Sequence, residues 1–363
     1  MKRIISLFIL AVIISFPSNL FAQGCVAIRG VGGSCALNAG ANAKGWQLLT
    51  NSRYFKSNKH FVGTIEQKER VENGTEVINH SFSTDVTLNR ILNNRWTLAV
   101  NVPFVSNVRS SLYEHGGSAG GAAARHSTRS LGMGDLRFSA DHWLLDPAKN
   151  KKGNIQLGLG IKLPTGDFRV QDYFYKLDGS YTIGPVDQSI QLGDGGTGFS
   201  LELNGFHSFN HTWSLYGSGY YLINPREHNG VSTARGGTPT ATAVQYYTSV
   251  MSVPDQYMLR GGANFMSGIH TFSAGLRMEG IPSSDLIGGD KGFRRPGYVI
   301  TAEPTITRAT KKGFFYVSIP VALQRNRTQS YSDKLRTAAT GVKVQGDAAF
   351  SDYLINAGFS IRL

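Results

Sequence analysis

In residues 155–163 every second side chain is apolar: Ile155, Leu157, Leu159, Ile161 and Leu163 alternate with Gln156, Gly158, Gly160 and Lys162. A period of two places the first set on one face of an extended strand and the second on the other, a sorting that a helix cannot make. The pattern returns at 315–323, through Phe315, Val317, Ile319, Val321 and Leu323, and at 353–363, through Tyr353, Ile355, Ala357, Phe359, Ile361 and Leu363. Carried along the chain, it predicts twelve strands, at 45–57, 79–92, 95–105, 133–145, 154–164, 197–209, 212–223, 255–266, 269–281, 297–309, 313–325 and 348–363.

The connections between these strands fall into two classes that alternate. Five are short: Asn93-Asn94, 146–153, Asn210-His211, Ser267-Gly268 and 310–312. Six are long and rich in Gly, Ser, Thr and Asn: 58–78, 106–132, 165–196, 224–254, 282–296 and 326–347. Tight turns on one side, long loops on the other and both chain ends on the short-turn side describe an all-β chain, a transmembrane antiparallel up-and-down β-barrel. The short turns are then periplasmic and the long loops extracellular. Past the N-terminus no apolar run approaches the roughly 20 residues of a membrane helix, so a helical membrane protein is excluded. Two cysteines in 363 residues exclude a disulfide-stapled mini-protein.

The first residues read as an address. Lys2 and Arg3 precede an apolar run over 4–14, followed by Pro17, Ser18 and the small Ala22, the order of a secretory signal with cleavage after Ala22. The expected organisation is a signal peptide at 1–22, a periplasmic segment or plug at 23–44 and an outer-membrane barrel at 45–363. The expected location is the outer membrane of a Gram-negative bacterium, with insertion through the barrel-assembly machinery. In that oxidising compartment Cys25 and Cys35 are expected to form a disulfide that closes a Gly-rich loop, two free thiols being the other reading.

Aromatic residues prefer membrane interfaces, and four strands carry a pair of them eight residues apart on the apolar face: Trp46/Tyr54, Trp96/Phe104, Trp213/Tyr221 and Tyr257/Phe265. Eight tilted residues span on the order of 20 Å along a barrel axis, which reads as two girdles against outer-membrane lipid. The opposite face is the expected lumen. It carries Arg53, Asp85, Arg137, Asp141, Lys162, Glu202, Arg260, Arg277, Glu279, Glu303 and Arg362, with Asn101, Asn204 and Asn264 between them. Six cations against five anions predict either a cross-braced interior or a pore of weak charge selectivity. The 37 Lys and Arg against 24 Asp and Glu of the whole chain, a formal charge of +13, then place the excess in loops and turns such as Lys149, Lys151, Lys152, Lys311 and Lys312. Contact with acidic surface or lipid groups accounts for it, and nucleic acid is not an expected partner.

Three segments carry a family resemblance: 157–167 (LGLGIKLPTGD), 132–136 (GMGDL) and 186–196 (VDQSIQLGDGG). They resemble the outer-membrane barrel family labelled as MetA-pathway phenol-degradation proteins, which are transporter-like. The resemblance runs loosely from Trp46 to the C-terminus. It implies a barrel that passes small, often aromatic, hydrophobic solutes, with no cofactor and no catalytic residues to carry over. The chain departs from the usual aromatic ending of such barrels, since it closes on Leu363 with Phe359 further in.

Pro164-Thr165-Gly166 ends a strand, because Pro interrupts the ladder and Gly permits a turn. The loop beyond it either folds back over the pore or stays in solvent. It holds Asp167, Asp172, Asp178, Asp187 and Asp194, enough hard oxygen for Ca²⁺ although not at EF-hand spacing, so no metal site is assigned. The leading expectation is a channel for small solutes and not an enzyme. Against it stand a lipid- or peptide-hydrolysing enzyme using His115 with Ser118, His126 with Ser127, or His228, and a structural or adhesive barrel that presents its 106–132 loop.

Overall fold

The computed structural model describes residues 44–363. Its wall is twelve antiparallel strands: β1 Gly45–Val62, β2 Ile78–Ile91, β3 Trp96–Ser111, β4 His126–Met133 continuing as Arg137–Trp143, β5 Gly153–Lys162 and β6 Gly198–Ser208. The second half is β7 Trp213–Ile223, β8 Gln256–Ser267, β9 His270–Ile281, β10 Gly297–Ala302 continuing as Thr305–Ala309, β11 Gly313–Ser318 continuing as Val321–Arg327, and β12 Ala348–Arg362. Each strand pairs with the next, and β12 returns to β1 from Gln47↔Arg362 to Phe61↔Ala348, so the sheet is closed. Closure removes the two open edges of a flat sheet, the condition for β structure in lipid, while the upper part of β4, His126–Met133, pairs with β3 alone.

The period of two survives as an alternation of exposure. Along β1, Arg53, Phe55 and Ser57 are buried while Tyr54 and Lys56 between them are exposed. The barrel is accordingly inside-out in its chemistry. Leu157, Leu159, Leu201, Leu203, Leu215 and Leu259 face outward at 44–64% exposure, whereas Ser214, Asn264, Arg277 and Glu279 are at 8% or less. Lipid stabilises the first set and the enclosed polar interior the second.

The wall departs from the twelve expected strands in two ways. On the long-loop side β1 and β3 run five and six residues further than the pattern predicts, to Val62 and Ser111, and β4 begins at His126. Three strands are also interrupted. In β10 and β11 the interruptions fall at Pro304 and Pro320, which have no N–H to give the ladder. In β4 the interruption is 134–136, and the neighbouring strand supplies the reason: Pro103 turns its carbonyl to β4, accepting from Gly134 N at 2.8 Å, so its missing N–H lies on the same side.

The long connections carry structure that their composition hides. The 163–197 loop contains a hairpin, Gln171–Tyr175 against Tyr181–Pro185, and the 224–255 loop pairs His228–Ser232 with Val250–Ser252. The last loop holds a helix, Tyr331–Thr340, opened by a capping box between Ser330 and Asp333 and closed by Gly341 at φ 71°, a conformation glycine alone adopts freely. The signal peptide, the Cys25–Cys35 pairing and nearly all of the 23–44 segment lie outside the described residues.

Candidate functional site: a loop drawn into the barrel

The three segments quoted for the family resemblance lie far apart in sequence and meet at one point. Asp135, from the interruption of β4, accepts from Gly166 N at 3.0 Å through Oδ1, and from Asp194 N and Lys162 Nζ, both at 3.3 Å, through Oδ2. Lys162 at the end of β5 also holds the Asp194 carboxylate. Gly166 and Gly193 pass so close that a Cβ on Gly193 would stand 2.5 Å from Gly166 O and from Asp135 Oδ1. Here glycine allows two backbones to touch, and a buried ammonium shared by two carboxylates ties them. Of the residues expected in the lumen, Lys162 is therefore part of a knot whose other members, Asp135 and Asp194, alternation did not single out.

From this knot the chain runs inside the barrel. Val186 and Ile190 are 0% and 1% exposed, and Ile190 O accepts from Asn107 Nδ2 and Ser130 Oγ, side chains of β3 and β4. On the other flank Gln188 Nε2 donates to Ser252 O at 2.8 Å. The loop after Pro164 thus folds back into the barrel, one of the two alternatives its sequence left open.

Above it a chain of alternating charges joins four loops and a strand. Arg235 lies 3.1 Å from Glu114; Glu114 lies 2.8 Å from Arg109 of β3; Arg109 lies 3.5 Å from Asp187; and Asp187 receives both arms of Arg295 at 2.9 and 2.8 Å. Burial alone would raise both carboxyls. The adjoining guanidinium groups outweigh it, holding Asp187 well below the usual carboxylate range and Glu114 below it. Sequence reading missed Arg109, Glu114 and Arg295. The signal for Arg109 was present, since Val105, Asn107, Arg109 and Ser111 continue the inward face of β3 beyond the point where its outward face stops being apolar.

Below the loop lies a cavity of about 210 Å³ with Phe55, Val105, Val299 and Phe350 beside Arg53 and Arg137. The other residues expected in the lumen fall into groups. Arg53 donates to Asn356 at 3.1 Å, Arg277 to Glu279 at 2.6 Å, and Glu303 stands 3.8 and 3.9 Å from Arg260 and Arg277. Asp85 is buried on β2. Toward the short turns the partners are neutral: Asn101 donates to Thr87 at 2.8 Å, Asn264 to Ser214 at 3.0 Å, and Asn204 approaches Gln156 at 3.5 Å. Asp141 and Glu202 flank Gly158, all three in one cross-strand row. Arg362 sits in the last paired row, opposite Gln47, apart from these groups.

On the outside, Trp213 packs against Phe265 at 5.0 Å between ring centroids, Trp96 against His142 at 4.3 Å, and Arg90 covers Trp46 at 5.0 Å. Tyr54 and Phe104 are exposed, Tyr257 is half-buried, and Tyr221 donates to Asp255 at 3.1 Å. Two of the three histidines of the enzyme reading are otherwise engaged, and His228 is exposed at the head of its short strand. His115 and His126 stack with Phe174 and Tyr175, and His115 Nδ1 accepts from Tyr175 N at 3.1 Å. The five loop aspartates do not converge. Asp167 and Asp178 cap local turns, Asp172 accepts from Arg129 N, and Asp187 and Asp194 take cations. Among the described residues no three metal-capable side chains gather.

A closed twelve-strand wall, an apolar outer face and a polar interior define a β-barrel of the outer-membrane type. Among solved structures the chain resembles an outer membrane channel from Pseudomonas putida F1, with a TM-score of 0.58 at 12% identity over 90% of this chain and 98% of that one. It also matches the Ralstonia pickettii toluene transporter TbuX (TM-score 0.44, 10% identity, 94% and 97% covered) and the P. putida toluene transporter TodX (0.43, 11%, 91% and 94%). At 12% identity the first likeness shows the fold alone, and the other two, below 0.5, add nothing to it. No family model and no curated protein matches the chain.

Proposed function

We propose that the protein is a passive channel in the outer membrane of a Gram-negative bacterium, passing small solutes that include hydrophobic or aromatic compounds. Residues 186–196 set its size limit. The supporting observation is that loop itself: a segment pinned through Asp135, Lys162 and Asp194 narrows the barrel above a cavity lined by both rings and cations. That lining fits a solute with one apolar part and one polar part. Export through residues 1–22 and a periplasmic plug or tail at 23–44 belong to the same reading.

Single-channel conductance of the mature protein in a planar bilayer tests it, with and without residues 23–44 and with Lys162→Met. Discrete steps that grow in Lys162→Met are expected. Equal steps in that variant would remove the size limit from the loop, and silence in every form would reject the channel.

A further inference from the structure

The outward face of β1–β4 is layered in register. Counted from the short-turn side, one cross-strand row is Trp46, Arg90, Leu98 and Ala140; the next is Leu48, Leu88, Val100 and Phe138. Further up come Ser52, Thr84, Phe104 and Met133, then Tyr54, Phe82, Ser106 and Leu131. Immediately above them stands Lys56, His80, Val108 and Arg129. Lys56, His80 and Arg129 are all exposed. Trp46 and Lys56 are ten residues apart, which at about 3.3 Å per residue and a tilt of about 40° is roughly 25 Å along the axis, the height of the apolar band of such barrels. The cationic row therefore lies where acyl chains give way to headgroups.

Its placement is local. On the remaining eight strands the outward residues of the long-loop half, such as Leu163, Phe199, Tyr221, Tyr257, Tyr298, Leu323 and Tyr353, include no cation. Among the described residues neither Lys56 nor the Arg129 guanidinium stands in an ion pair. Asp172, which reaches the backbone of Arg129, is taken by the N–H groups of Arg129 and Tyr173. Tyr54 Oη meets His80 Nδ1 at 2.9 Å, leaving Nε2 as the ring's remaining polar atom. Three interstrand gaps of about 4.8 Å make the row about 14 Å long, too wide for one phosphate and suited to a headgroup bearing more than one.

We propose that the Lys56–His80–Arg129 row, with Tyr54 and Phe82 beneath it, is a docking site for a phosphorylated glycolipid of the outer leaflet, seated on β1–β4 only. Ammonium, imidazole and guanidinium donors take the phosphates, and the aromatic rows take the first methylenes of the acyl chains. The site requires the barrel and its apolar band but not an open pore, so a silent conductance record leaves it standing.

The test is native mass spectrometry of the mature chain in neutral detergent with bis-phosphorylated lipid A, its dephosphorylated form, or pyrophosphate alone. Retention of the phosphorylated lipid is expected, with a loss of about 30-fold in Lys56→Gln/His80→Gln/Arg129→Gln, at about 1 kcal/mol for each of two full charges. Lys149→Gln/Lys151→Gln/Lys152→Gln, on the short-turn rim, removes more charge and should lose nothing. Equal losses in both triple variants, equal retention of the dephosphorylated lipid, or full competition by pyrophosphate would each overturn the proposal. Heat-modifiable migration of both variants on gels establishes that the barrel is intact.

Discussion

The wall and the loops that cap it are built by different physics in one chain. The wall is a ladder: strand is held to strand by repeated backbone hydrogen bonds, and each side chain needs only the right polarity for its face. The cap is a set of particular pairs. Arg109, Glu114, Asp187, Arg235 and Arg295 hold four loops together, and Lys162, Asp135 and Asp194 hold a fifth contact inside the barrel. Many substitutions in the wall should therefore be small and interchangeable, while a few in the cap should be large and specific.

The sharpest break in that contrast is Arg109→Ala. It takes from Glu114 and Asp187 the guanidinium they share, leaving Arg235 to the first and Arg295 to the second, and removing one partner of a buried pair costs about 3–5 kcal/mol. Amide exchange at 186–192 should accelerate by at least about a hundredfold while the barrel keeps its heat-modifiable migration; slow exchange there would show that the charge chain does not hold the loop. Leu203→Arg probes the wall at its lipid face and should cost about 2–4 kcal/mol, read as a lowered urea midpoint for the whole barrel with the loop exchange unchanged. A shift confined to the loops would contradict the lipid-facing assignment.

Acid offers a milder test. Asp187 and Glu114 lie below the ordinary carboxyl range when folded, so the stability they contribute is complete above the unfolded value of about 4 and is lost only as pH falls through the lower folded values. Exchange at 186–192 should stay flat, after correction for intrinsic rates, between pH 7 and pH 5 and rise only in stronger acid. A rise centred near pH 5 would mean that these carboxyls are not held down. The smallest effect expected is that of salt. Buried pairs are screened little, and raising ionic strength from 0.1 to 1 M should change the same exchange by less than about twofold.

How much of this could be read in advance differs between the two regions for the same reason. Ile155 to Leu163 announce a strand because a lipid-facing wall repeats one demand every second residue, and twelve repetitions make the pattern unmistakable. The interruption of β4 was not legible, because its cause, Pro103, sits in the neighbouring strand. The extension of β3 to Ser111 was missed because its outward face, Ser106, Val108 and Ser110, leaves lipid there and no longer alternates with the polar one.

By itself the sequence determined the closed antiparallel wall, its even strand count and the sorting of its connections, since hydropathy period and turn chemistry are local properties that need no partner. Only the tertiary structure decided what the long loops do. That Gly134-Asp135, Lys162, Gly166 and Gly193-Asp194 meet is a consequence of barrel closure, which brings three segments up to sixty residues apart to one wall. The same holds for Arg109 facing both Glu114 and Asp187. A charge in a loop reads as solvated until the fold removes its water and leaves a particular partner as the only replacement.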